Sequence, residues 1–119
     1  MMRADNHPYR QWISQLEAMG FPRFGDLTAI ERSLIGRIWR MLPSDMSLEC
    51  WRLFTENLPR NSRRTPTAFY NCITGHGVGA DHPVRRYLLR NRDRIVRWRE
   101  DHPRVEQRRL RLPMPRGKE

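Results

Sequence analysis

Residues 28–42 read TAIERSLIGRIWRML, and Pro43 follows. Thr28 and Glu31 stand at the S/T-x-x-E spacing of a capping box. There the hydroxyl takes the backbone N–H three residues on, and the carboxylate reaches back to the cap. Leu27, Ile30, Leu34, Ile38 and Met41 recur at helical spacing, with Ile35, Trp39 and Leu42 widening the stripe. Pro43 has no N–H to continue the ladder, so the helix stops before it. So broad an apolar face predicts a helix at the centre of an all-α bundle.

The same grammar extends in both directions. Toward the N-terminus, Tyr9, Trp12, Ile13, Leu16 and Met19 lie on one face of a helix from about Pro8 to Met19, capped by Asn6 or His7 and stopped by Gly20. Toward the C-terminus, Leu48, Trp51, Phe54 and Leu58 mark a helix over about 46–58, with Ser44, Asp45 or Ser47 as cap. Thr65-Pro66 opens a short fourth helix that Gly75 closes, with Phe69, Cys72 and Ile73 facing inward. Asp81 or His82 caps a fifth helix over about 83–100, whose seam is Val84, Tyr87, Leu88, Ile95 and Trp98. The sequence therefore predicts an all-α single small domain of about five helices over residues 1–102. Residues 103–119, with three Pro and no aromatic, are expected to form a basic, largely disordered C-terminal arm.

Composition bounds the rest. A charged fraction of 30% beside a hydrophobic fraction of 38% fits a folded part joined to a solvated one, and four Trp in periodic patterns argue against a chain without a core. Two cysteines are too few for a disulfide framework, which points to a reducing compartment. The opening MMRADNHPYRQW has no apolar core of a signal peptide, and no stretch approaches the ~20 apolar residues of a membrane span. The expectation is a cytoplasmic protein with no membrane partner.

Charge is the feature that bears on function. Residues 1–59 carry seven Arg and seven acids. Residues 60–119 carry fifteen Arg and Lys118 against six acids, which is the whole net charge of +10. Codon bias toward Arg would also raise Ala, yet there are five Ala. Arginine differs from lysine in pairing bidentately with phosphate and in stacking on bases. On the fifth helix Arg85, Arg92 and Arg99 repeat every seven residues along one flank of the seam. Arg86, Arg90, Arg94 and Arg97 follow the other. Few acids sit at the spacing that would neutralise them internally, so an external anion is expected to do so. Arg60, Arg63 and Arg64 form a basic turn, and Arg104, Arg108, Arg109 and Arg111 a basic tail.

These residues predict a non-enzymatic protein that holds the backbone of DNA or RNA, as an accessory subunit of a nucleoprotein complex. Two alternatives stand beside it. A small inhibitor or adaptor would seat the arginine face on an acidic protein. A helix-turn-helix regulator would use helices three and four, with Thr67, Tyr70 and Asn71 near the start of the reading helix. Leu89 and Val96, seven residues apart and turned from the seam, are candidates for a protein interface or self-association.

Other constellations carry less. Gly75-x-Gly77-x-Gly79 follows a helix rather than a strand and lacks the Lys-Ser/Thr of a phosphate loop, so it reads as a hinge. Cys50, Cys72, His76 and His82 match no zinc spacing, and no metal or other cofactor is expected. No nucleophile elbow or paired-carboxylate arrangement is present to support catalysis.

Overall fold

The computed structural model describes residues 8–59 and 63–102. The expected tail, the turn residue Arg60 and the cap candidates Asn6 and His7 lie outside the described residues. Among these, the structure is all-α: α1 (Pro8–Ala18), a 3-10 turn (Phe24–Asp26), α2 (Ala29–Met41), α3 (Ser44–Glu56), α4 (Pro66–Thr74), α5 (Pro83–Arg90) and α6 (Arg92–Asp101).

The capping box on α2 forms in full. Thr28 Oγ1 accepts from Glu31 N at 3.1 Å, and Thr28 N donates to Glu31 Oε1 at 2.9 Å. α1 ends with Gly20 at φ +92°. There Phe21 N donates to Leu16 O and Gly20 N to Glu17 O, the paired bonds of a Schellman stop. Trp51 Nε1 then donates to Met19 O at 2.9 Å, which locks the end of α1 onto α3.

The central helix is α3 rather than α2. It packs against α1, α2, α4 and α5, and buries Met46, Ser47, Cys50, Trp51 and Phe54. An aromatic cluster forms on it: Trp51 meets Phe21 at 4.8 Å and Phe69 at 5.1 Å, both edge to face. A second cluster joins Tyr9, Trp12 and Trp39 across α1 and α2. The breadth that suggested a central α2 comes from Ile35, Ile38 and Met41 entering the core while Trp39 joins the second cluster. Ile30, expected on the inner face of α2, is 73% exposed, because Ile35 and Ile38 take the inward positions.

The expected fifth helix is two helices. Asn91 sits at φ −108°, ψ 20°, outside helical geometry. Its side-chain Nδ2 donates to Tyr87 O at 2.8 Å, the carbonyl its own backbone N–H also reaches at 3.1 Å. Asparagine competes with the helix ladder in this way, and the chain breaks there.

Candidate functional site

Along α5 and α6 the fully buried residues are Val84, Arg85, Leu88 and Ile95, while Arg92 and Arg99 are half-buried. The seam therefore leans toward the Arg85-Arg92-Arg99 row, which was expected to rim it. This row belongs to the structure of the bundle. Long aliphatic stems let arginines cover apolar surface while the heads find partners.

Arg85 shows the reason most clearly. It is 8% exposed, and its Nη1 donates to Ile73 O at the end of α4. Helix ends leave carbonyls unsatisfied, and a cation there also opposes the helix dipole. Gly75, at φ +89°, makes room. A Cβ built at Gly75 would lie 3.2 Å from the Arg85 guanidinium carbon. Burial lowers the Arg85 pKa from its ordinary value, with Cys72 and Cys50 acting in the opposite direction. Arg85 is thus corrected from a phosphate contact to a cap on α4. The glycine segment is pinned across its ends by the same bond.

His82 caps α5: its Nδ1 accepts from Val84 N at 3.0 Å, so the neutral ring carries its proton on Nε2. Burial lowers the His82 pKa, with Asp81 pulling it back. Cys72 Sγ lies 3.7 Å from His82 Nδ1. Burial pushes the Cys72 thiol up to about 11, partly offset by Arg85, and pushes Cys50 higher still. Burial thus favours the thiol over the nucleophilic thiolate at both cysteines. Among the described residues no group of three or more His, Cys, Asp or Glu could hold a metal ion.

The second arginine row faces outward. Arg86, Arg90 and Arg97 are exposed, and their side chains carry no hydrogen bond or ion pair among the described residues. Arg94, expected in the same role, grips Asp45 of α3 with both carboxylate oxygens at 2.8 Å. Arg92 reaches Asp93 only at 4.0 Å. Asp93 and Glu100 share the outer stripe, so the open positive charge gathers at Arg86 with Arg90 and again at Arg97. Arg63 and Arg64 are exposed immediately before Thr65, whose Oγ1 caps α4 by accepting from Ala68 N at 3.1 Å. Arg104, Arg108, Arg109 and Arg111 lie outside the described residues.

The interface candidates separate. Leu89 is 39% exposed, whereas Val96 is half-buried, so the two do not form a matched exposed seam. α4 packs against α2, α3 and α5, leaving Thr67 exposed and Tyr70 and Asn71 half-exposed.

One arrangement was not anticipated. Trp98, expected in the seam, is half-exposed and is neither part of the core nor packed against it. Its ring stacks on His102, centroids 4.6 Å apart at 29°. The i, i+4 spacing of a Trp and a His ahead of Pro103 was the available signal.

No family model matches the chain, and no curated protein or solved structure matches it. Among the described residues no helix is long and apolar enough to cross a membrane.

Proposed function

We propose that this protein holds the sugar-phosphate backbone of a nucleic acid, without catalysing a reaction on it, as an accessory subunit of a nucleoprotein assembly. The observation that carries the reading is the outer row Arg86, Arg90 and Arg97, solvent-facing and without internal carboxylate partners among the described residues. Some other arginines of the fold are paired with carboxylates. Arg52 bonds Glu49 and Glu56, and Arg94 bonds Asp45. Three exposed arginines without such a partner, two on α5 and one on α6, favour a polyanion from outside.

Arg63 and Arg64 add a second basic point before α4, and the charge of the C-terminal segment adds to the same balance. Backbone contacts position a ligand without reading its sequence. The packing of α4 against three helices favours this mode over base reading by a helix-turn-helix. Two buried free thiols suit a reducing compartment, so the cytoplasm is the proposed location.

The test is a titration of labelled oligonucleotides, single- and double-stranded, across salt concentrations. Wild-type protein is expected to bind with log K falling linearly against log salt. Arg86→Glu, Arg90→Glu and Arg97→Glu together should weaken binding at least tenfold and flatten the slope by about 2 to 3, since each lost phosphate contact removes roughly one unit. These side chains are exposed, so the fold should survive. Equal affinity in the triple variant overturns the reading. Binding only to an acidic protein that co-purifies from the native host would move the row to the inhibitor or adaptor class.

A further inference from the structure

We propose that the Trp98–His102 stack at the end of α6 is a base-stacking platform, and that the nucleic acid is single-stranded where it meets this protein. The inference rests on the backbone-binding reading and adds to it the state of the strand.

Trp12 and Trp51 are buried in the core and Trp39 packs against it, whereas Trp98 does neither. Trp98 is a half-buried indole outside the core cluster, with a polar N–H and a flat face available for contacts other than core packing. The structure holds it in place nonetheless. His102 Nδ1 donates to Trp98 O at 2.7 Å, which fixes the imidazole nearly parallel to the indole. His102 is exposed, so the tier presents its outer face to solvent and can accept a third flat ring.

The surroundings supply the charge. At about 100° per residue around α6, Arg94 falls between Arg97 and Trp98, while Arg86 and Arg90 precede them on α5. A phosphate on Arg97 and a base on the tier therefore belong to adjacent faces of α6. That pairing of a basic track with an aromatic platform is how proteins hold unpaired strands without sequence preference. A duplex keeps its bases stacked inside and can use only the track. Any base has the required π-face, so weak sequence dependence is expected.

The experiment uses the full chain and three probes of equal length: an oligothymidylate, an abasic oligodeoxyribose phosphate and a duplex. The oligothymidylate should bind about fivefold to a hundredfold more tightly than the abasic polymer, the range that one stacked base contributes. His102→Ala should remove most of that margin while leaving abasic and duplex affinity unchanged. His102→Phe should restore it, which separates stacking from the imidazole's charge. Trp98→Phe should retain it, and Trp98→Ala should lose it.

Equal binding of the base-bearing and abasic polymers, both still sensitive to Arg86→Glu with Arg90→Glu, would overturn the platform and leave the backbone reading intact. Tightest binding to the duplex, or a His102→Ala effect shared equally by all three probes, would also overturn it. Failure of all three to bind would sink the platform and the backbone reading together.

Discussion

α5 and α6 carry two rows of the same residue with opposite uses. Arg85, Arg92 and Arg99 turn toward the bundle, whereas Arg86, Arg90 and Arg97 turn to solvent. The inner row begins with a guanidinium that closes the end of α4. The outer row closes nothing among the described residues. Identity and local spacing are nearly the same in both. What separates Arg85 from Arg86 is the buried Ile73 carbonyl that the end of α4 offers to one and not to the other. An unpaired buried carbonyl is costly, so the fold recruits the nearest long donor. An arginine count therefore overstates the charge available to a partner.

The sharpest way to break this contrast is at Arg85. Arg85→Ala should cost about 2–4 kcal/mol, through a stranded carbonyl and lost packing, measured by denaturant unfolding. Arg86→Ala, one residue along, should change stability by no more than ~0.5 kcal/mol and should instead weaken oligonucleotide binding. Equal stability losses would erase the distinction between the rows.

Gly75 and Gly20 sharpen the same point with a matched pair. Both sit in the left-handed region, at φ +89° and +92°, but only Gly75 lies against Arg85, while Gly20 has open space. Gly20→Ala should cost about 1–2 kcal/mol for the backbone alone. Gly75→Ala should cost visibly more by thermal or chemical unfolding, and the excess should vanish in an Arg85→Ala background, because the added methyl then has no guanidinium to meet.

His82 extends the contrast to pH. Its cap on α5 needs an unprotonated Nδ1, and burial holds its pKa below the ordinary 6.5. The unfolded chain binds the proton more readily, so this contribution is complete above pH 6.5 and is lost as pH falls from there through the lower folded value. His82→Asn keeps a capping acceptor without titrating. Its unfolding free energy should fall less than the wild type's between pH 7 and pH 5. Parallel pH profiles would remove the histidine from the account.

The smallest expected effect concerns Arg94, which stands between the two rows in use. Its pairing with Asp45 is exposed, so Asp45→Asn should alter stability by under ~1 kcal/mol. Freed from its carboxylate, Arg94 should join the outer row, steepening the salt dependence of binding by about one phosphate contact. An unchanged slope would show that Arg94 points away from the track.

Much of the architecture was legible locally. The Thr28–Glu31 box, the Thr65-Pro66 start and the glycine stops at Gly20 and Gly75 are decided within a few residues, by hydrogen bonds the backbone makes with its immediate neighbours. The α5–α6 break was partly legible, since Asn91 is a residue that competes with its own helix. The candidate site was legible as a concentration of positive charge and as a row of Arg86, Arg90, Arg94 and Arg97. The pairing of Arg94 with Asp45, the use of Arg85 as a cap and the stacking of Trp98 on His102 were not legible.

Sequence by itself determined the helices, their ends and the excess of arginine in the second half, because capping, period and charge depend on residue identity and short separations. Tertiary structure alone decided which arginines remain open, which helix is central and where Trp98 goes. Those outcomes depend on what lies across the interface: the Ile73 carbonyl beside Arg85, the Asp45 carboxylate beside Arg94, and the packing of α1, α2, α4 and α5 on α3. Partners twelve to forty-nine residues apart meet only when the bundle closes.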